Sequence, residues 1–323
     1  MARANAVYYA TRDPFADFTT SPEISQVFGE VLGLWAAVVW DQLGRPSPVI
    51  MAEAGPGRGT LMRDARRATA RAAPDFHAAA RVHLIETSPR LRAIQAAAVP
   101  DAVWHAGLDD LPPGPLILLA NEFLDALPIR QFTRRGPDWT ERFVTPLPGG
   151  GLVLAEQPCG PPAWDGIVED GAIVEVNEAA RGIIAALAAR FAAHPGAALF
   201  LDYGPERSAP GDSLQAIAAG RPVDPLCPAG TADLTAHVDF AALAAEARAG
   251  GGVVRGPVPQ GLFLAALGLF QRANRLSMRQ PSERAAAIMA SARRLGEPDR
   301  MGRLFKALAV ASPGIGDMPG FGG

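Results

Sequence analysis

The segment Met51-Ala-Glu-Ala-Gly-Pro-Gly-Arg-Gly-Thr-Leu61 sets Gly55, Gly57 and Gly59 at alternate positions. It follows the apolar run Val49-Ile50-Met51 and precedes a helix-like stretch from Leu61 to Ala73. A glycine turn between a strand and a helix lets a ligand lie against bare backbone, because no Cβ blocks the approach. The helix behind it offers N–H groups with no partner in the helix. Loops that hold a dinucleotide pyrophosphate read G-x-G-x-x-G. Here the spacing is G-x-G-x-G, with Glu53 at the strand end. A carboxylate there repels a pyrophosphate and suits a cation with an amino group and a sulfonium. The residue types therefore point to S-adenosylmethionine rather than a nicotinamide. A glycine triplet taken alone is as readily an ordinary tight turn.

Two further segments bear on that reading. Arg81-Val-His-Leu-Ile-Glu86 reads as a second strand ending in an acid, with a helix over Pro89 to Ala98. The distance from Gly59 to Glu86 fits one strand–helix–strand unit of ~30 residues, and an acid so placed accepts hydrogen bonds from ribose hydroxyls. Asn121-Glu122-Phe123-Leu124-Asp125-Ala126-Leu127-Pro128 follows an apolar strand, Pro115 to Ala120. Open α/β sheets bind ligands at the carboxyl ends of their strands, so Asn121, Glu122 and Asp125 stand where a methyl acceptor would meet the cofactor. A guanidinium keeps its proton at every pH up to ~12. To make one of its nitrogens attack, carboxylates must hold the charge on the others, and Glu122 with Asp125 is the candidate clamp. A solvated loop is the plain alternative. Asp109, beside Asp110, is a candidate contact to the adenine amino group. Asp202 ends a fifth strand, Ala197 to Asp202, and is expected near enough to line the acceptor cleft.

These segments need elements that position them. Apolar residues at helical spacing predict one amphipathic helix from Ile24 to Leu43, started by Ser21-Pro22-Glu23. A weak third strand covers Ala102 to His105. Further helices are expected over Glu178–Phe191, Val238–Ala249, Gly261–Arg275 and Ser282–Leu295. Strands alternating with helices imply a doubly wound parallel sheet. Short β segments at Ile129–Thr133, Trp139–Val144 and Gly151–Ala155 interrupt this scheme. The chain is therefore divided into 1–127 (an N-terminal helix and the first half of the core), 128–176 (a β-rich insertion) and 177–323 (the second half with helical additions). The tail after Pro313, rich in glycine and proline, is expected to fray.

With 49% hydrophobic and 20% charged residues, 323 residues can bury a full core. A net charge of −3 argues against nucleic acid as the main partner. Only Lys306 among the 30 basic residues is a lysine, so the arginines read as compositional bias. Arg63, Arg66, Arg67 and Arg71 are expected on a solvated helix face. Cys159 and Cys227 form no C-x-x-C pair, and the histidines lack zinc spacing. No metal is expected. Without a secretory leader or an apolar run long enough for a bilayer, the expectation is a cytoplasmic protein that does not enter the membrane.

Seven blocks together resemble the MidA-like class I methyltransferases, relatives of a mitochondrial arginine methyltransferase that helps assemble respiratory complex I. They are Asp17-Phe-Thr-Thr-Ser-Pro-Glu-Ile-Ser-Gln-Val-Phe-Gly-Glu30, Glu53 to Leu61, Asn121 to Pro128, Leu201-Asp-Tyr-Gly204, Gly211-Asp-Ser-Leu-Gln215, Asp233 to Phe240 and Gly302-Arg-Leu-Phe-Lys306. The resemblance implies a seven-stranded Rossmann-like sheet, S-adenosyl-L-methionine as cofactor, and a protein substrate, in that relative a complex I subunit. It also implies that Ser21 and Glu23 lie near the cofactor. The chain departs from the pattern by starting later than usual and by its shorter Asp13-Pro-Phe-Ala-Asp17. The expected activity is S-adenosylmethionine-dependent methylation of protein arginine. The alternative is an assembly chaperone that binds the cofactor without transferring methyl.

Overall fold

A computed structural model describes residues 1–12 and 19–322. The short Asp13–Asp17 stretch, and Asp17-Phe18 of the first resembling block, lie outside the described residues. The chain begins with α1 (Ala2–Thr11), α2 (Ser21–Ile24) and α3 (Gln26–Gln42). The first half of the core follows: β1 (Val49–Ala54), α4 (Thr60–Ala72), α5 (Pro74–Ala79), β2 (Ala80–Ile85), α6 (Pro89–Ala98), β3 (Val103–His105) and β4 (Leu116–Asn121). Next come β5 (Arg130–Arg135), β6 (Asp138–Pro146), β7 (Leu152–Cys159) and β8 (Ile173–Val176). The chain returns through α7 (Glu178–Ala193) and β9 (Gly196–Tyr203) to three short strands, β10 (Gln215–Ala218), β11 (Arg221–Val223) and β12 (Asp233–Thr235). It closes with α8 (Phe240–Ala249), β13 (Val253–Pro259), α9 (Gln260–Ala266), α10 (Leu269–Ser277), α11 (Ser282–Gly296) and β14 (Phe305–Ala311).

The main sheet has seven strands in the order β13-β14-β9-β4-β1-β2-β3. Strands β3, β2, β1, β4 and β9 run parallel, while β14 is antiparallel to both β9 and β13. Alternate side chains of a strand face opposite ways, and this splits the core into two layers. Met51, Leu84, Ile117, Leu119, Leu199 and Leu201 pack against Phe28, Leu32 and Trp35 of α3, Leu61 and Met62 of α4, and residues of α9 to α11. Ile50, Ile85, Leu116, Leu118, Ala198 and Phe200 pack against Ile184 and Leu187 of α7 and Phe240 and Leu243 of α8. With both faces covered, β1, β4 and β14 are buried at every position, as central strands of such a sheet must be.

The structure revises the predicted elements in several places. Ser25 breaks the long first helix: its backbone is extended (φ −154°, ψ 129°) and its side chain accepts from Val27 N–H, so α2 and α3 are separate. The helix expected over Gly261–Arg275 is divided at Gly268, which has φ +87°. The tail does not fray. Ile315 and Met318 are buried against the first layer, and the Phe321 ring lies 5.0 Å from that of Phe263. The arginine face on α4 is not merely solvated. Arg67 donates to Glu30 at 3.0 Å and to Asp64 at 2.8 Å, and Arg66 pairs with Asp101. Strands β7-β6-β5-β8 form a separate antiparallel sheet with a small core of Phe132, Val174 and Val176.

Candidate active site

A cavity of about 640 Å³ opens at the carboxyl ends of β1, β2 and β4. Its walls carry Glu53, Gly55, Gly57, Glu86, Asp109, Asn121, Glu122 and Phe123, so most of the residues singled out in the sequence converge there. Gly55, Gly57 and Gly59 all have positive φ (63°, 54° and 77°), a conformation that glycine adopts without strain. A Cβ at Gly55 would also stand 2.9 Å from Cδ2 of Phe123. The glycine loop and the segment after β4 are therefore fitted to each other.

Glu53 is 3% exposed. Its carboxyl accepts from Met62 N–H in the first turn of α4, while Oε2 has no hydrogen-bond partner among the described residues. Burial raises its pKa to about 8, because the charged form loses its hydration. Glu86 is held more fully: Ser88 N–H donates to Oε1 at 2.8 Å and Gln95 Nε2 to Oε2 at 3.2 Å. Burial nevertheless pushes its carboxyl up. Gln95, which the sequence reading passed over, is fully buried and also donates to Gly57 O at 2.8 Å while accepting from Trp104 Nε1. It ties the glycine loop to the acidic loop. As one polar residue on an otherwise ordinary helix face, it gave no signal by type or spacing. Asp109 lies on the cavity wall, and its neighbour Asp110 caps the turn by accepting from Ala106 and Gly107 N–H.

On the acceptor side, Ser21 N–H and Oγ–H donate to Glu122 Oε1 at 2.8 and 2.9 Å, and Asn121 Nδ2 donates to the same oxygen at 3.1 Å. Asn121 Oδ1 has no partner among the described residues. Burial raises the pKa of Glu122. Ser21 thus holds Glu122 and does not itself line the cavity, whereas Glu23 does line it and accepts from Thr60 Oγ1. Asp125 departs most from the expected clamp. It is 6% exposed and absent from the cavity wall, and its carboxyl is bonded to Tyr203, with Oδ1 unpartnered among the described residues. Burial, with Asp202 and Asp233 nearby, drives its pKa well above the usual range. The backbone turn after Glu122 sends successive side chains to different sides, which spacing alone does not reveal.

Helix α1 closes one side of the cavity with Ala2, Asn5, Ala6 and Tyr9. Asn5 Nδ2 donates to Ala126 O and Leu234 O, and its Oδ1 accepts from Leu234 N–H. Tyr9 Oη–H donates to Asp233 Oδ1 at 2.9 Å.

The fit to S-adenosylmethionine rests on this chemistry. The cavity offers an orphaned carboxylate oxygen at Glu53 for an ammonium, an acid at the end of β2 for ribose hydroxyls, and, at Gly55 and Gly57 with their positive φ, bare backbone for the ligand to lie against. Together with the sheet order, these features define an S-adenosylmethionine-dependent methyltransferase. The model of a family of S-adenosyl-L-methionine-dependent methyltransferases matches residues 31–258, and the chain belongs to that family. It is 33% identical to the Drosophila melanogaster "Protein arginine methyltransferase NDUFAF7 homolog, mitochondrial", over 98% of this chain and 80% of the fly protein. The mouse "Protein arginine methyltransferase NDUFAF7, mitochondrial" is 34% identical, over 94% of this chain and 77% of its own length. A Burkholderia thailandensis structure solved with S-adenosyl-homocysteine bound is 26% identical with a TM-score of 0.78, covering 94% of this chain and 81% of that one.

The relatives' names overturn the expectation of a cytoplasmic protein, since they are mitochondrial. That expectation rested on the lack of an apolar leader, which bears only on secretion. Mitochondrial transit peptides are amphipathic and arginine-rich, without an apolar centre. Among the described residues, no helix is long and apolar enough to cross a membrane.

Proposed function

We propose that the enzyme methylates arginine in a protein substrate, of which a respiratory complex I subunit is the first candidate. One observation carries the reading at the acceptor end: Asn121 and Glu122 are adjacent on the cavity wall, and the buried Asn121 Oδ1 has no hydrogen-bond partner among the described residues. An acceptor without a donor, next to a carboxylate, suits the N–H groups of a guanidinium, which has five and accepts none. The relatives' names, protein arginine methyltransferase, support the same acceptor.

S-adenosylmethionine supplies an electrophilic methyl group, and the residues of this chain do the rest. Glu53 would hold the cofactor's ammonium, Glu86 its ribose and Asp109 its adenine amino group, with Gly55 and Gly57 leaving room for its chain and Gly59, which is off the cavity wall, turning the backbone into α4. Glu122 would hold the guanidinium charge on one pair of N–H groups and Asn121 would accept from another, so that the third nitrogen points its lone pair at the methyl. Asp125, turned toward Tyr203 and off the cavity wall, is not a second arm of the clamp. Most of the acceleration then comes from alignment, which can contribute ~7–11 kcal/mol.

The test is to incubate the protein with methyl-labelled S-adenosylmethionine and an extract of cells lacking its gene, then hydrolyse the labelled product. Methylarginine on a discrete protein band is the expected result. Label on lysine, on a carboxylate or on a small molecule would refute the acceptor assignment. An absence of label, with cofactor binding intact, would favour the chaperone.

A further inference from the structure

We propose that Asp202, at the end of β9, is the positioning residue that sets the acceptor segment in its working geometry. The inference rests on the reading of Asn121 and Glu122 as the acceptor-binding pair. Asp202 is 1% exposed and does not itself line the cavity. Its Oδ2 accepts three successive backbone N–H groups, from Phe123 at 3.1 Å, Leu124 at 2.9 Å and Asp125 at 3.3 Å. Its Oδ1 accepts from Tyr203 N–H at 2.9 Å. Successive N–H groups converging on one oxygen form a concave anion nest, and here the anion is a side chain of the neighbouring strand.

The nest holds the chain where it would not otherwise stay. Glu122 has φ +49°, a left-handed conformation that a side chain adopts only when its surroundings impose it. Glu122 N–H is fixed to Leu201 O at 2.8 Å, and the next three N–H groups are fixed to Asp202. From β9, these four bonds determine where Glu122 aims its carboxylate and where Phe123 sets its ring against Gly55. Asp202 thus acts on the acceptor through Glu122 and Phe123, while the cofactor contacts at Glu53, the glycine loop and Glu86 belong to other strands.

The variant to make is Asp202→Asn. It keeps the shape of the side chain but loses the charge, and it turns an NH₂ group toward either the three N–H groups or Tyr203 N–H. Label incorporation from S-adenosylmethionine is measured over a dilution series of the same cell extract, which separates the saturating rate from the half-saturating dilution. Calorimetry with S-adenosylhomocysteine reads cofactor affinity. The expected result is a saturating rate lower by about 100-fold, the scale of a misplaced reacting group, with cofactor affinity unchanged. A saturating rate equal to that of the native protein, or a loss shared equally by cofactor affinity, would overturn the proposal. Hydrogen exchange on the native protein supplies a second arm that needs no variant. The amides of Phe123, Leu124 and Asp125 should exchange slowly, and fast exchange at all three would also overturn it. If the native protein labels no protein in the extract, the acceptor reading fails by itself and the exchange result decides whether the nest exists.

Discussion

At the residue scale, Glu53 joins cofactor recognition to pH. Its carboxyl is buried, one oxygen is unpartnered, and its pKa stands at about 8. In the cofactor-free protein it therefore carries a proton at neutral pH, and an ammonium placed against it favours the charged form. Cofactor binding should then release a proton, so affinity for S-adenosylhomocysteine should rise between pH 6 and pH 8. Glu53→Gln should weaken binding roughly 10-fold or more, the scale of a hydrogen bond to a charged group, and flatten its pH dependence. Calorimetry at the two pH values checks both statements, and a variant that keeps the native slope would remove Glu53 from the site. Glu122→Gln makes a different prediction. The amide can still fill the space beside Ser21 but cannot hold a positive charge. Turnover should fall by about 10²-fold while affinity for S-adenosylhomocysteine stays as it is, and equal loss of both in the same assays would assign Glu122 to the cofactor.

At the level of elements, the glycine loop is only as well placed as the helix it feeds. α3 packs across α4 through two glycines. A Cβ at Gly33 would stand 2.7 Å from Ala65 Cα, and one at Gly29 would stand 2.9 Å from Leu61 O. These neighbours are backbone atoms and cannot swing aside. Gly33→Ala should destabilise the protein by about 1–3 kcal/mol, as overpacking does, and should weaken cofactor binding by shifting the first turn of α4. Urea unfolding and calorimetry test the two effects, and a neutral substitution would mean that the helices part easily. The same packing shows what was legible in the sequence. Apolar runs and glycine spacing gave β1, β2, β4, β9 and the loop, because local chemistry dictates them. The break at Ser25 did not show, since Ser25 sits inside an unbroken helical period. β13 did not show either. Pro257 and Pro259 argue against a central strand, and only the sheet order reveals it as an edge strand, where proline is tolerated. Gln95 and the Asp202 nest are tertiary contacts between segments distant along the chain. Periodicity carries no information about them.

The whole molecule concentrates buried acids along one edge of its sheet. Glu53, Glu86, Glu122, Asp125 and Asp202 all have pKa values raised by burial, Glu53 to about 8 and Asp202 to about 7. In the unfolded chain such groups titrate near their ordinary values of ~4. Between those values and 7 to 8 the folded protein binds more protons than the unfolded one, so stability falls as pH rises. Glu30 works in the opposite sense. Burial would raise its pKa, but Arg272 and Arg67 hold it lower, so its contribution is complete by pH 6 and is lost only on strong acidification. The cofactor-free protein should therefore unfold at a lower urea concentration at pH 8.5 than at pH 6. Saturating S-adenosylhomocysteine stabilises the folded state by mass action, and it should do so more at pH 8.5, where the Glu53 charge it pairs with is otherwise buried alone. A urea midpoint that rises with pH in the cofactor-free protein would show that this edge is hydrated enough to keep its acids ionised. Water would then screen those carboxylates, and the acceptor site would not be the dry pocket in which pairing with a guanidinium is strong.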